Sequence, residues 1–412
     1  MAQDKMKVLQ VNTLARTKST GRTVYEMHKE LLIKGIESYV ASSYLSIEEG
    51  DFGQWIFSSK SDMKVHSLLS RITGLQGYYS KKCTMNLYRY IESINPDIVL
   101  LRVLHSNCIN VNGLLNYLKS HNIPTIIVLH DLWFVTGHCT YPCESGCEKY
   151  KTQCISCNQR RMGNISWFFD RSNRVWNDRK KIYHNWNLLS LVGVSKWATD
   201  CAKQASVTDT MQHFRTIYNW IDQDIFKPRM QKRENIFYVM AVSAEWSPMK
   251  GVLDFIRLSW KLTDEKLVLV GHIEDKYKKQ FNLKLTSFID YTNSTRELSE
   301  LYNKADVYVS MSSQETFGKT IAEAICCGTP AIVYDITACS ELVSEGAGYA
   351  VKFGDVESVY HYIKKIKEDG KDKYLKACLH KAERYFSKER NVQAYIDLFN
   401  EMVKERDRLI ES

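Results

Sequence analysis

Two acidic residues lie in the segment SSQETFGKTIAEAICCGTP, which runs from Ser312 to Pro330. Glu315 precedes a Phe-Gly pair, and Glu323 follows eight positions later in a run of small and apolar residues. A carboxylate in such a run is costly to bury unless it is paired or hydrogen-bonded. Because a carboxylate can accept hydrogen bonds from two adjacent hydroxyl groups, paired acids suit a ribose or another sugar. The spacing therefore indicates a site for a polyhydroxyl ligand.

The surrounding pattern places these acids at the carboxyl end of a strand. The strand ADVYVSMS ends near Ser312 and a helix begins near Gly318 or Lys319, so Glu315 lies in the connecting loop. A glycine there allows close backbone approach, and the first amides of the helix favour an anionic oxygen. Residues eight apart on a continuous helix point within about 80° of each other, so Glu323 is expected to face the same crevice. The alternative is that neither acid binds a ligand, so that Glu323 is a solvated helix residue and Glu315 is an ordinary loop acid.

Strands alternate with helices along both halves of the 412-residue chain. Continuous β-branched runs joined by helices predict parallel sheets covered on both faces, and the length predicts two domains of roughly 150–200 residues. We expect doubly wound α/β domains over residues 1–195 and 196–387, followed by a helix over 388–412. The opening strand, Met6–Asn12, is predicted to lead into a loop and then a helix over 23–34. Ligands are expected at the carboxyl ends of the strands.

Composition and charge narrow the function classes. The hydrophobic fraction of 44% is that of a globular protein. The N-terminus lacks the apolar core of a signal peptide, and the apolar runs are far shorter than the ~18–20 residues of a membrane span, so a cytoplasmic location is expected. The net charge of +9 favours an anionic partner, whether a phosphorylated small molecule, a membrane surface or a nucleic acid. Without a G-x-x-x-x-G-K-[ST] or G-x-G-x-x-G loop, a nucleotide-hydrolysing or nicotinamide domain is disfavoured.

Further short patterns accompany the two acids in an order that resembles retaining family 4 glycosyltransferases. The phrase S-x-x-E-x-F-G-x-x-x-x-E-A-x-x-x-G-T-P resembles the donor-binding segment of that family. The accompanying pieces are Val194–Trp197, Asn219–Asp222 with Phe226 and Pro228, Lys250-Gly251, Gly271, and Leu301–Asp306. The resemblance extends over most of the chain. Within the family, the chain is similar to the bacterial capsule and exopolysaccharide (colanic-acid-type) members. It implies the GT-B fold, in which two Rossmann-like domains face each other across a cleft and a C-terminal helix returns to the N-terminal domain.

The resemblance implies a role for each matching residue. Glu315 would bind hydroxyl groups of the donor sugar, Lys250 would neutralise the diphosphate leaving group, and His130 would touch the sugar. Glu323 would hold the nucleotide ribose. Further donor contacts are implied for Phe317, Gly318, Lys319, Asn219, Gly271 and Gly21. Contacts with the acceptor or the phosphates are implied for Thr20, Arg22 and Asp131. Each of these roles has an alternative without a function. Lys250 would then be a solvated lysine, His130 a structural histidine at a strand end, and the Thr20-Gly21 loop a plain turn.

The implied reaction moves a hexose-type sugar from a UDP- or GDP-sugar to a glycan or polyprenyl-diphosphate-linked glycan in bacterial surface polysaccharide synthesis. It would proceed with retention, without a covalent intermediate and without a required metal. The family usually has an arginine five or six residues before the lysine, where this chain has Glu245 and Ala244. Basic residues near the opening strand are the predicted substitutes, namely Arg16, Lys18 and Arg22. The alternative functions are another GT-B enzyme (an epimerase or a glycan phosphorylase) and a nucleic-acid-binding protein, although no nucleic acid is expected as partner.

Five cysteines follow His130 within a predicted insertion over 138–157, and they are Cys139, Cys143, Cys147, Cys154 and Cys157. A C-x2-C pair with further cysteines upstream suits tetrahedral zinc. A similar block occurs in bacterial polysaccharide glycosyltransferases, and the four positions that match it are Cys139, Cys147, Cys154 and Cys157. Structural zinc, free thiols and a redox or disulfide role all stay open. A metal here would stiffen the loop and take no part in the chemistry.

The segment over 160–186 mixes seven Arg or Lys residues with six aromatic residues. Such mixtures suit a membrane interface or a nucleic acid, and a solvated helix with inward aromatic side chains is the plain alternative. Because the resemblance implies a lipid-linked acceptor, we expect peripheral contact with the anionic inner face of the plasma membrane.

Overall fold

A computed structural model describes residues 5–43, 53–230 and 235–411. The described chain divides into two compact units. The first contains the described residues up to Ile217 together with those from Val392 onward, and the second contains Tyr218–Asn391. Each unit has one sheet with helices in the connections, so the predicted α/β architecture is confirmed.

The first unit has a parallel sheet with the strand order β3-β2-β1-β4-β5-β6-β7 in its described part. Its strands are β1 (Lys7–Asn12), β2 (Glu37–Ser42), β3 (Gln54–Ile56), β4 (Ile98–Leu101), β5 (Thr125–Leu129), β6 (Leu189–Gly193) and β7 (Phe214–Thr216). Its helices are α1 (Lys18–Ile33), α2 (Lys60–Thr73), α3 (Lys81–Ile94), α4 (Val111–Ser120), α5 (Ser172–Tyr183) and α6 (Lys196–Gln204). The central strands β4 and β5 are buried along their whole length, as expected when helices cover both faces of a sheet.

The second unit has a parallel sheet with the strand order β10-β9-β8-β11-β12-β13. Its strands are β8 (Tyr238–Glu245), β9 (Lys266–His272), β10 (Thr286–Ile289), β11 (Val307–Ser310), β12 (Ala331–Tyr334) and β13 (Gly348–Val351). Its helices are α7 (Val252–Ser259), α8 (Asp275–Lys278), α9 (Thr295–Lys304), α10 (Lys319–Cys326), α11 (Cys339–Val343), α12 (Val356–Asp369) and α13 (Asp372–Tyr385). The last helix, α14 (Lys388–Glu411), starts in this unit and ends in the first.

The boundary between the units lies later in the chain than predicted. The sequence pattern places it between residues 195 and 196, whereas the structure places it after Ile217. The reason is the edge strand β7, which pairs with β6 and so holds the segment over 196–217 in the first unit. Because β7 has three residues and contains Arg215, it lacks the apolar run that marks the central strands β4 and β5.

Near its end, α14 contacts the first unit. The guanidinium of Arg406 lies 3.3 Å from a carboxylate oxygen of Asp97, and His213 Nε2 lies 3.3 Å from Glu405 Oε1. The sequence predicts this helix over 388–412, and its described residues from Val392 onward group with the first unit.

Helix α1 begins five residues earlier than predicted, at Lys18. Thr20, Gly21 and Arg22 therefore lie in its first two turns, and the predicted loop at these positions is wrong. Thr17 has the extended conformation that precedes a helix, while the glycine favoured a later start because glycine lowers helix propensity. The amide of Arg16 donates to the carbonyl of Gly21 at 2.9 Å, which folds the preceding turn onto the helix.

Candidate functional site

The carboxyl ends of β8 and β11 bring a lysine and a glutamate together in the second unit. Lys250 Nζ lies 2.5 Å from Glu315 Oε1, and both side chains are partly exposed, at 35% and 23%. The two strands are neighbours in the sheet, so the loops that follow them meet at one edge. The structure thus pairs two residues that the sequence predicted for one site, 65 positions apart.

Close backbone contact holds Lys250 opposite Glu315. Gly251 has a φ of +76°, and a Cβ atom there would lie 2.4 Å from the carbonyl oxygen of Met311 at the end of β11. The amide of Ser313 donates to the carbonyl of Met249 at 2.8 Å, which joins the same two loops. Only glycine fits such a position. The steric requirement for glycine at position 251 therefore fixes the backbone next to Lys250 and so places the lysine.

The loop after β12 fixes the backbone of Glu315. The Glu315 amide donates to Thr337 Oγ1 at 3.0 Å, and the amide of Ala338 donates to the Glu315 carbonyl at 3.2 Å. Three neighbouring strands therefore contribute to the site. The main chain of Glu315 is fixed, while its partly exposed carboxylate is held by the lysine.

Helix α10 begins directly after this loop. Gly318 has a φ of +83°, and a Cβ atom there would lie 2.9 Å from Ile321 and 3.0 Å from Leu342. The helix then runs from Lys319 for eight residues. Its first amides and its dipole make this end favourable for a phosphate or another anionic oxygen.

Glu323 lies inside α10 and is only 7% exposed. Its carboxylate accepts a hydrogen bond from the Tyr302 hydroxyl at 3.2 Å, and Tyr302 is fully buried. Burial and, next, the nearby carboxylate raise the pKa of Tyr302 well above its usual value. The hydrogen bond explains how an acid is accommodated in an apolar run. Burial raises the pKa of the Tyr308 hydroxyl, and the charges of Glu315 and Glu323 raise it further, so both carboxylates act electrostatically on one group.

Three other residues of this unit are predicted to contact the donor, namely Phe317, Gly271 and Asn219. The Phe317 ring is buried and packs against Phe386, with ring centroids 5.7 Å apart. A Cβ atom on Gly271 would lie 1.5 Å from the carbonyl oxygen of Ser243, so the contact of β9 with β8 requires glycine there. Asn219 is partly buried. Donor contacts by these residues and by Glu323 stay predictions.

In the first unit, His130 follows β5 and contacts a buried arginine. Arg102 Nη1 lies 3.1 Å from His130 Nε2, and Arg102 is 1% exposed. Because a guanidinium can only donate, Nε2 accepts and the neutral ring carries its proton on Nδ1. Burial and, next, the charge of Arg102 lower the pKa of His130 to about 3. The sequence analysis does not identify Arg102 as a site residue. The signal that could have identified it is its position as a single cation at the end of the apolar run IVLLR.

Asp131 forms a second pair at the same strand end. Its Oδ2 lies 2.9 Å from His105 Nε2, and its Oδ1 accepts from the amide of Trp133 at 2.8 Å. Burial lowers the pKa of His105, but the carboxylate outweighs burial and holds this pKa above its usual value. Likewise, burial raises the pKa of Asp131, and His105 more than offsets that effect. His105 is thus a further polar partner that the sequence did not indicate.

We expect His130 to stay neutral in the folded protein from pH 8 down to about 4, because its pKa is about 3 against an ordinary 6.5. Protonation then favours the unfolded chain, so this histidine contributes stability that is lost as the pH falls from 6.5 towards 3. Long-range ¹H–¹⁵N spectra recorded across a pH titration would measure it, with the urea-unfolded chain as control. A titration midpoint near 6.5 in the folded protein would contradict the assigned arrangement.

The predicted insertion over 138–157 contains two short 3₁₀ turns and otherwise irregular backbone in its described part. All its cysteines are free thiols, and the amide of Gly137 donates to Cys154 Sγ at 3.3 Å. Burial and then three other thiols raise the pKa of Cys139, and the three are Cys157, Cys154 and Cys147. No group of three or more His, Cys, Asp or Glu among the described residues could hold a metal ion as placed. Zinc ligation would require these side chains to move, and it stays a prediction.

Residues 221–385 match the family described as Glycosyl transferases group 1. A curated relative is the O-antigen chain mannosyltransferase RfbU of Salmonella typhimurium, which is 32% identical over 159 residues. That match covers 37% of this chain and 44% of the relative. The chain spans less than half the length of the curated relatives that it matches. The segment that matches the family lies within the second unit.

Solved structures resemble the chain along nearly its whole length. A glycosyltransferase from Rickettsia africae gives a TM-score of 0.70 at 18% identity, covering 98% of this chain and all of that one. The Anabaena protein HepE, solved in complex with UDP-glucose, gives 0.64 at 15% identity, covering 96% of this chain and all of that one. These likenesses show the fold, which is the GT-B fold. The family match and the curated relatives agree with the predicted resemblance to glycosyltransferases, and the solved structures confirm the predicted fold.

Proposed function

We propose that this protein is a retaining glycosyltransferase that takes a hexose-type sugar from a UDP- or GDP-sugar. The observation that carries the proposal is the Lys250–Glu315 pair, 2.5 Å apart beside the start of α10 in the segment that matches the family. A cation and helix amides suit a diphosphate, and a carboxylate suits sugar hydroxyls. The likeness to a protein solved with UDP-glucose supports a nucleotide-sugar donor.

In this proposal, binding of the donor separates the pair. Lys250 turns to the diphosphate and stays beside it. Because the charge of the diphosphate grows as the glycosidic bond breaks, a cation held there lowers the energy barrier to cleavage. Glu315 accepts hydrogen bonds from the sugar hydroxyls that replace the ammonium. The acceptor oxygen bonds to the anomeric carbon on the face that the phosphate leaves, and its proton passes to the departing phosphate oxygen. Glu315 is thereby a sugar-binding group, so no covalent sugar–enzyme intermediate forms and no metal is required.

Donor cleavage with water as acceptor tests this proposal. The protein is incubated separately with UDP-glucose, UDP-galactose, GDP-mannose and dTDP-glucose, and early time points are followed by ³¹P and ¹H NMR beside protein-free reactions. We expect one donor to release its nucleoside diphosphate and to give the α-anomer of the sugar first. Release from none of the four donors, or the β-anomer first, would contradict the proposal.

We further propose that the acceptor is a glycan or a lipid-linked glycan of a bacterial surface polysaccharide, as the relative RfbU supports. The first unit is proposed to bind it, with Asp131, Thr20 and Arg22 as contacts and with Arg16, Lys18 and Arg22 as substitutes for the absent family arginine. The free thiols suit the reducing cytoplasm. In the described part of the chain, no helix has the length and apolar character to cross a bilayer.

An exposed aromatic cluster supports peripheral contact with an anionic membrane. Trp167, Phe168 and Phe169 are 42%, 64% and 49% exposed. Two arginines lie beside them, with Arg71 6.0 Å from the Trp167 ring and Arg171 5.2 Å from the Phe169 ring. Exposed aromatic rings next to cations suit the headgroup region of an anionic bilayer.

We expect the protein to float with vesicles of phosphatidylglycerol and phosphatidylethanolamine, because the rings insert while the arginines meet the lipid charge. Replacing Trp167, Phe168 and Phe169 together by serine should reduce the floating fraction at least about fivefold. The matched control is Trp260→Ser, which removes a 65% exposed ring in the second unit. Equal flotation of the triple variant and the unchanged protein would refute this surface as the docking site.

A further inference from the structure

A groove in the first unit lies along one face of helix α2. It has a volume of about 430 Å³, and α2 and the loop after β4 form its walls. Two kinds of side chain from α2 line it, the apolar Met63 and Leu68 and the cationic Lys64 and Arg71. The other lining residues are polar and uncharged, namely Ser67, Ser106 and Asn107. Within the described residues, no carboxylate lines the groove.

The spacing of the α2 side chains explains why they share the groove. Leu68 follows Lys64 by four positions and precedes Arg71 by three, and residues three or four apart lie on the same face of a helix. Leu68 is 49% exposed, and both cations are exposed as well. One face of α2 thus presents an apolar side chain between two positive charges.

The acidic residue of α2 does not neutralise these charges at the groove. Asp62 is the single acid of the helix, and its carboxylate accepts a hydrogen bond from the Ser80 hydroxyl, which lies just before α3. Asp62 does not line the groove. The two positive charges of the lining are therefore available to an anion from outside.

The groove adjoins the exposed aromatic cluster of residues 167–169. The amide of Trp167 donates to the carbonyl of Arg71 at 2.7 Å, and the Arg71 guanidinium lies 6.0 Å from the Trp167 ring. At the end of α2, a Cβ atom on Gly74 would lie 2.4 Å from the carbonyl oxygen of Phe169. Arg71 therefore belongs to both surfaces, and a molecule in the groove lies next to the exposed rings.

The lining favours one class of ligand. Two cations without an acid suit a dianion, and a diphosphate diester supplies one charge on each phosphate, whereas the phosphodiester of phosphatidylglycerol carries a single charge. Arginine binds phosphate oxygens through its planar fork and lysine binds them as a point charge. The apolar side chains suit a hydrocarbon chain joined to that diphosphate. A free glycan offers neither the charge nor the chain.

We propose that this groove binds the diphosphate and the adjoining hydrocarbon of a lipid diphosphate, the lipid that carries the acceptor glycan. The proposal rests on the proposed function for the role of this lipid as acceptor, whereas the binding itself is independent of that role. Lys64 and Arg71 bind the diphosphate, and Met63 and Leu68 pack against the hydrocarbon chain. The far end of the chain stays in the bilayer that the aromatic cluster contacts. The acceptor is thereby narrowed from any surface glycan to a lipid-linked one.

Calorimetric titration of the full chain with geranyl diphosphate, a soluble prenyl diphosphate, tests this groove. Geraniol and inorganic pyrophosphate are the partial probes, since the first lacks the charge and the second lacks the chain. We expect one geranyl diphosphate to bind per chain, and each partial probe to bind at least about tenfold more weakly. Equal affinity for inorganic pyrophosphate would identify an anion site without a lipid. That result, or no binding of geranyl diphosphate, would overturn the proposal.

Substitutions on α2 locate the bound probe. Lys64→Ala combined with Arg71→Ala removes both cations, and Leu68→Ser removes the apolar side chain between them. We expect the affinity for geranyl diphosphate to fall at least about tenfold in the double variant and at least about threefold in Leu68→Ser. All three side chains are exposed, so the variants should fold, and thermal melting curves check this. Undiminished affinity in the double variant would refute the groove as the binding site.

Helix α3 supplies a matched control. Lys82 and Arg89 are exposed and lie seven positions apart, as do Lys64 and Arg71, so Lys82→Ala combined with Arg89→Ala removes the same charges from the same unit. On α2 itself, Val65→Ser changes a 58% exposed side chain that does not line the groove. Both controls should keep the affinity within about twofold. An equal loss in the α3 variant would identify a general charge effect and overturn the proposal.

Competition and donor cleavage keep this proposal distinct from the proposed function. Excess UDP should leave geranyl diphosphate bound, because the proposed diphosphate contact of the donor, Lys250, belongs to the second unit. Displacement by UDP would place the probe at the donor site and overturn the groove. Binding of geranyl diphosphate without cleavage of any nucleotide sugar would refute the glycosyltransferase activity and leave the lipid site standing. Cleavage without such binding would refute the lipid site and leave the activity standing.

Discussion

Replacing Lys250 with alanine is expected to lower the rate constant for nucleotide-sugar cleavage by about 10²–10³-fold. The reason is that a fixed cation at the leaving diphosphate acts more on the transition state than on the bound donor. Donor affinity, measured by calorimetric titration with UDP-glucose or the donor that is cleaved, should fall by a much smaller factor. The measurement is single-turnover cleavage with protein in excess over donor.

The chain offers a matched control for this substitution. Lys276 Nζ lies 2.7 Å from Glu274 Oε2, and both side chains are more than half exposed. Lys276→Ala removes an equivalent lysine–glutamate pair from the same unit and should leave cleavage within about twofold of the unchanged protein, as is usual for exposed pairs. A Lys250→Ala rate within that same twofold range would refute the leaving-group role.

The second large effect is expected for Glu315→Gln, which keeps the shape of the side chain and removes its charge. Hydrogen bonds from sugar hydroxyls to a carboxylate are stronger than those to an amide, so kcat/KM for the donor should fall by about 10–100-fold. The effect should depend on the sugar, since free UDP lacks the hydroxyl groups that Glu315 is proposed to bind. UDP affinity measured by calorimetry should therefore change little, while UDP-sugar affinity falls.

A double-mutant cycle checks that the two residues act in one site. Because Lys250 and Glu315 contact each other directly, their effects on cleavage should not add, whereas distant residues usually add within a few tenths of a kcal/mol. Lys250→Ala combined with Glu274→Gln supplies the additive reference. Strict additivity of Lys250→Ala and Glu315→Gln, or equal loss of UDP and UDP-sugar affinity in Glu315→Gln, would count against the assigned roles.

The regular strands and the residues that follow them could be predicted from the sequence. Runs such as those of β4 and β12 are continuous and apolar, so they identify buried parallel strands. Since parallel strands end at the same edge, the residues after β8 and β11 could be expected to meet there. The glycines at 251 and 318 are the sequence signal of the same two loops. The structure shows why glycine is needed there, because both residues have a positive φ and leave no space for a Cβ atom.

The partners of buried polar groups could not be predicted in the same way. Tyr302 and Glu323 are 21 positions apart, and Arg102 and His130 are 28 apart. Nothing in their local periodicity links them, because contact depends on how helices and loops pack over the sheet. Likewise, the start of α1 depends on a turn at Arg16 whose backbone has a φ of 113°, which no apolar pattern signals.

A crystal structure of the protein soaked with the nucleotide sugar that it cleaves would test the central claim most directly. We predict a diphosphate oxygen within about 3 Å of Lys250 Nζ, sugar hydroxyls within the same distance of the Glu315 carboxylate, and the ion pair between these residues broken. A bound nucleotide sugar that lies elsewhere while Lys250 and Glu315 keep their mutual contact would contradict the account.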